Sequence, residues 1–146
     1  MELVVTIALA GLLIGVVFLV AHPRDYTPQQ DNGQRWAGVA QLMQAMRAYH
    51  ADTGSLPAGL PEKVTQVGNA NGMVDLCATF VPKYMKDVPL DPVDGGQYAN
   101  GDCRGSSVQA GKYVTGYTVQ LAKDGTLTVA APSAEKGEQI RMSQRF

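Results

Sequence analysis

The sequence predicts an α+β fold: a long N-terminal helix, apolar in its first half and amphipathic in its second, packed on a small antiparallel sheet of about three strands. Three observations lead there. Residues 3–21 are nineteen uncharged, mostly apolar residues in a row. Between Gln34 and Gly54 the apolar residues recur at spacings of three and four, the period of one helix face. The last third of the chain changes to near-alternation on either side of a Lys-Asp-Gly turn, which is the pattern of a hairpin.

At 146 residues the chain is long enough for one domain and an attachment element. Its net charge of −1 gives no electrostatic reason to expect nucleic-acid binding by bulk charge. The hydrophobic share of 45% is ordinary for a globular protein, but much of it is concentrated in the first 21 residues.

Residues 1–21 are read as a membrane-spanning or bundle-buried helix. About 20 apolar residues cross roughly 30 Å of hydrocarbon, and Leu3 to Ala21 meet that length. A cleaved signal peptide would carry Lys or Arg ahead of a shorter run, and none is present. Gly11 and Gly15 have the spacing that lets two helices approach closely. Glu2 is the one carboxylate at the start of this run. At a membrane surface it would simply reach water. Buried among helices it needs a cation, and the nearest kind is the N-terminal amine of a second copy. The only basic group ahead of the run is the chain's own amine, so the positive-inside rule does not predict export of the remainder. Either that remainder faces the cytoplasm or a basic leader precedes Met1.

Residues 22–33 contain Pro23 and Pro28 and are read as a kinked or melted linker. Residues 34–146 form the head. Its amphipathic helix presents Trp36, Val39, Leu42, Met43, Met46 and Tyr49 on one stripe, with Gln34, Arg35, Gln41, Gln44, Arg47 and Asp52 on the other faces. Asp31 or Asn32 suits its start and Gly54 its end. Residues 55–75 read as loop, rich in Pro, Gly and Asn, and a short helical piece around Cys77 follows. Tyr113, Tyr117, Val119 and Leu121, then Leu127, Val129 and Ala131, make two strands. Ile140 and Met142 mark a third, and the amphipathic stripe is expected to lie on the apolar face of this meander.

Little here points to catalysis. His22 and His50 lack the spacing of a metal pair, and there is no nucleophile elbow or phosphate-cradling glycine loop. The expectation is no catalytic residue, no resident metal and no cofactor. Asp91 and Asp94, with Asp87 and Asp102 near in sequence, could hold a hard cation such as calcium, but Asp residues also simply begin turns, and that is the preferred reading. Cys77 and Cys103 permit one disulfide, closing a loop of about 25 residues and stabilising by roughly 3 kcal/mol. Such a bond favours an oxidising compartment.

The segment ELVVTIALAGLLIGVV, Glu2 to Val17, resembles the N-terminal helix of type IV pilins and pseudopilins, in which a glutamate lies just inside the mature N-terminus. The likeness continues through AMRAYHADTGSLP, VPKYMKDVPLDPVDGGQY and TGYTVQLAKDGTLTVAAPSAEKGEQI, the last similar to the C-terminal sheet of pilins from small-genome bacteria. The resemblance implies a subunit that waits in the inner membrane and then polymerises into an extracellular, cell-surface filament used for adhesion, twitching motility or DNA uptake. Its partners would be further copies of itself, an assembly platform and motor proteins. Glu2 would pair with the amine of a neighbouring copy, and Pro23 and Pro28 would lie where pilin helices kink or melt. The head, with Cys77 and Cys103 bridged, would face outside. Family precursors carry a short basic leader ending in Gly, whereas here Met1 directly precedes Glu2, so prepilin peptidase is a partner only if a leader lies upstream. The rivals are a secretion-system pseudopilin, favoured by a tight calcium site near Asp91 and Asp94, and a membrane-anchored binding module that never polymerises.

Overall fold

The computed structural model describes residues 28–96 and 113–146. Helix α1 runs from Pro28 to Thr53, followed by strand β1 (Thr65–Gly68), the single turn α2 (Cys77–Phe80), and strands β2 (Val114–Leu121), β3 (Thr126–Ala131) and β4 (Ile140–Arg145). The sheet is antiparallel throughout, in the order β1-β2-β3-β4.

Two expectations need correcting. The sheet has four strands, not about three. The additional one, β1, comes from a stretch read as loop. Four residues are too few to show alternation, and their Gly, Asn and Pro neighbours carry turn signals. Long-range pairing makes the strand: Thr65 lies opposite Val119 and Gln66 opposite Thr118. The second correction concerns the long helix. Among the described residues no helix is long and apolar enough to cross a membrane. The helix seen is α1, with 26 residues, and the apolar segment 1–21 lies outside the described residues.

Helix α1 is already formed at Pro28, the first described residue, six residues ahead of the expected Gln34. Asp31 and Asn32 consequently lie inside the helix and not at its cap. At the other end Gly54 takes φ 72° and donates its N–H to the His50 carbonyl at 2.8 Å, a left-handed close for which glycine has no Cβ penalty.

The core forms where α1 crosses the sheet. Val39, Leu42, Met43 and Met46 from the helix pack with Tyr117, Val119, Leu127, Val129 and Ile140 from the strands, and with Val67 and Phe80. Burying a Leu or Met side chain of this kind stabilises by about 1.5–3 kcal/mol. Alternation holds in β3, where Leu127, Val129 and Ala131 face inward while Thr126, Thr128 and Ala130 are half-buried on the outer face. Alternation fails in β2, where Thr115, Gly116 and Tyr117 are buried in succession. The register explains this. Between the pairs Gln66–Thr118 and Gly68–Val114, β2 has two more residues than β1, so the strand bulges. Cys77, at the start of α2, is disulfide-bonded. The sequence offers it one partner, Cys103, which lies outside the described residues.

Candidate functional site

The stripe on α1 does not begin as expected. Trp36 is 40% exposed, whereas Arg35, placed on a polar face by periodicity, is 1% exposed. A guanidinium tolerates such burial only when its donors are met by charged or polar acceptors. Here Nε donates to Asp91 Oδ2 at 2.7 Å, Nη2 to Asp91 Oδ1 at 3.3 Å, and Nη1 to Asn32 Oδ1 at 3.1 Å and Glu135 Oε1 at 3.4 Å. The Asp91 contact is two-pronged, the geometry in which Arg and a carboxylate pair most strongly.

Asp91 is held equally firmly. Its Oδ1 also accepts the backbone N–H groups of Val93 at 2.9 Å and Asp94 at 3.0 Å. Burial alone would raise this carboxyl. The hydrogen bond from Arg35, the two backbone N–H groups and the Arg35 charge outweigh burial and hold it below the usual carboxylate range. The Asp91 hydrogen bond is likewise the main reason the Arg35 guanidinium is raised above its ordinary value.

The bulge in β2 makes room for this pair. Gly116 sits at φ 81°, and a Cβ there would lie 2.5 Å from the Asp91 Cβ. The Asp91 N–H donates to the Thr115 carbonyl and the Gly96 N–H to the Val114 carbonyl, each at 2.7 Å, so residues 91–96 dock against the bulged strand. Thr115 closes the bulge by donating its hydroxyl to the Val67 carbonyl at 2.8 Å.

The connection between β3 and β4 joins the network from the other side. Asn32 donates to the Glu135 carbonyl at 3.1 Å and to Glu138 Oε2 at 2.7 Å, and its Oδ1 accepts the Glu135 N–H at 3.0 Å. Trp36 donates its indole N–H to Glu138 Oε1 at 2.8 Å, which lets the ring stay at the margin of the head. The Ser133 hydroxyl donates to Asp94. One arginine thereby ties together the first third of α1, the 91–96 loop and the β3–β4 connection.

Two buried atoms, Asp31 Oδ1 and Tyr117 Oη, have no hydrogen-bond partner among the described residues. Burial, with the Asp91 charge adding to it, pushes the Tyr117 phenol up to about 12. The hydroxyl lies over Gly38, where a Cβ would collide with it and would come within 2.5 Å of the ring carbon that bears it. Gly38→Ala is therefore expected to destabilise by about 1–3 kcal/mol despite the better helix propensity of Ala. Tyr117→Phe, which removes an unpartnered buried hydroxyl, is expected to stabilise by about 1 kcal/mol and to recover part of the Gly38→Ala loss. Denaturant midpoints of the two single variants and the double variant check both. An additive double variant would show that the two side chains do not meet.

The arrangement fastens three separate segments to one another. Asp91 has four donors around its two oxygens, from Arg35 and from its own loop. Asp94 bonds Ser133, and Asp87 lies apart, half-buried. No group of three or more metal-ligating side chains occurs among the described residues. His50 packs the edge of its ring on Phe146, with centroids 5.2 Å apart. Of the remaining residues singled out by sequence, Glu2, Gly11, Gly15, His22, Pro23, Asp102 and Cys103 lie outside the described residues.

Sequence reading missed Arg35, Asn32 and Glu135. A signal was available: Asp31, Arg35, Gly38 and Leu42 continue the helical spacing of three and four past the last apolar residue. A charged residue in register with a buried stripe marks a buried ion pair. No protein-family model, curated protein or solved structure matches the chain.

Proposed function

We propose that the chain is a structural subunit of a type IV pilus, polymerising through its N-terminal apolar segment into an extracellular filament. The observation that carries this reading is the ordered sequence likeness, beginning with Glu2 ahead of nineteen uncharged residues. Apolar segments of many copies bury one another, and the Glu2 carboxylate meets a neighbouring amine that fixes axial register. The heads form the outer surface.

The buried node supports the reading mechanically. A filament subunit bears load where its head meets its N-terminal segment, and α1 is the first described element after that segment in the chain. Arg35 and Asn32, in the first third of α1, are fastened to two separate loops. Load entering α1 would be shared with the sheet through these bonds. The disulfide at Cys77 fits a head exposed to an oxidising compartment. A tight calcium site near Asp91 and Asp94 would favour the rival secretion pseudopilin; the Asp91 oxygens accept from Arg35 and from the Val93 and Asp94 N–H groups.

Immunogold electron microscopy of the producing cells, with antibody against the head, tests the proposal. Label along filaments is the expected result. Label confined to the cell envelope would overturn it in favour of an anchored module.

A further inference from the structure

Strand β4 ends the sheet on one side, and among the described residues no strand pairs with its outer edge. The register fixes what that edge presents. The Phe146 N–H donates to the carbonyl of Gly125, which lies opposite it one pair beyond Thr126–Arg145. Bonded and unbonded pairs alternate along an antiparallel ladder, so Ile140, Met142 and Gln144 bond β3 as Phe146 does. Arg141, Ser143 and Arg145 occupy the alternate positions, and their N–H and C=O groups point away from β3 along the open edge. Their side chains share one face of the sheet and are exposed. The other face belongs to Met142, packed on the core, and Gln144, which accepts from Arg47 of α1.

We propose that this edge takes an extended acidic segment of another protein as a fifth, antiparallel strand, with two carboxylates four residues apart meeting Arg141 and Arg145. Strand addition of this kind draws affinity from backbone hydrogen bonds and selectivity from alternate side chains. Residues directly opposite each other share a face, so the incoming carboxylates stand beside the guanidiniums, which are about 14 Å apart along β4. Neither guanidinium has a hydrogen-bond or ion-pair partner among the described residues. The nearest competing charge is Asp124 in the β2–β3 turn, which feels Arg145 but is held chiefly by the Thr126 N–H. None of the four strands contains an acidic residue, so the sheet offers the arginines no carboxylate of its own. A second copy does not fit. Two copies joined through β4 about Ser143 would set Arg141 of one against Arg145 of the other. The chain's one pair of acidic residues at this spacing is Asp87 and Asp91. Pro89 between them lacks the N–H that a strand needs opposite Ser143, and Asp91 is buried against Arg35.

This inference concerns the head and holds whether or not the chain forms filaments. The test adds a labelled peptide, Ser-Glu-Val-Thr-Val-Glu-Ser, to the full chain in detergent, with a control carrying Lys for both Glu. The acidic peptide is expected to bind about tenfold more tightly than the control, and Arg141→Glu with Arg145→Glu to reverse that preference. Both positions are exposed, and an unchanged denaturation midpoint shows that the variant is folded. Hydrogen exchange read by NMR on the unsubstituted chain separates strand addition from adsorption by charge. Binding is expected to slow exchange at the amides of Arg141, Ser143 and Arg145 and to leave Met142 and Gln144, already bonded to β3, as they were. No binding, or equal binding of the two peptides, overturns the inference. So does charge-dependent binding that leaves those three amides exchanging at their original rates.

Discussion

Asp91→Ala is expected to destabilise the head by about 3–5 kcal/mol, the range for breaking a buried ion pair from one side. Arg35 is 1% exposed and keeps its charge, so the variant leaves a guanidinium facing a cavity. It also releases the Val93 and Asp94 N–H groups that Asp91 now accepts. Removing both partners, as in Arg35→Met with Asp91→Leu, is expected to recover much of the loss, because no buried charge remains. Recovery stays incomplete, since the loop's N–H groups still lack their acceptor. Chemical denaturation of the full chain in detergent gives the comparison. A loss below about 1 kcal/mol for Asp91→Ala would mean that the pair is no more than a surface salt bridge in its effect.

The same pair has a pH signature of fixed sign. The folded Asp91 carboxyl titrates below its unfolded value of about 3.9. Its contribution is therefore fully present above that value and is lost as pH falls through the lower, folded value. The wild-type chain is expected to lose more stability between neutral pH and strong acid than Asp91→Asn does, with the difference confined to acid solution. A difference that opened above pH 6 would point to another group.

If the chain is a pilus subunit, as proposed, Glu2→Ala abolishes filament assembly and leaves the membrane-held fraction and the folded head unchanged. Burial of apolar surface is non-directional, and in the proposed filament the Glu2 pair adds a directional contact that fixes the axial register of one subunit on the next. The substitution removes a charge and leaves a methyl, so a chain held together by burial alone would still assemble. Loss of sheared filaments with an unchanged membrane fraction separates register from burial. Normal filaments from the variant would remove Glu2 from the assembly.

How far the head could be read from its sequence depends on distance along the chain. The β2–β3 hairpin was legible because its signals are local: alternation in Val119–Leu121 and Leu127–Ala131, and a turn closed by Gly125 at φ 82°. The stripe Val39, Leu42, Met43 and Met46 was legible for the same reason. Strand β1 was not, since its four residues become a strand only by pairing with β2 some fifty positions later. Arg35 and Trp36 were exchanged between inside and outside because helical period alone does not separate adjacent positions at the edge of a stripe. The deciding partners, Asp91 and Glu135, are 56 and 100 residues away. Gly116 carried a local hint, a glycine inside a strand pattern, which marks a bulge or a close approach, and here it marks both.

Mass spectrometry of material sheared from the producing cells, reading the peptide that contains Glu2, bears on the filament itself. If the chain is a pilus subunit, it is abundant in that material and its Glu2 peptide shows prepilin-peptidase processing. If sheared material lacks the chain and the membrane fraction holds it with Met1 intact, it is an anchored module and not a filament subunit.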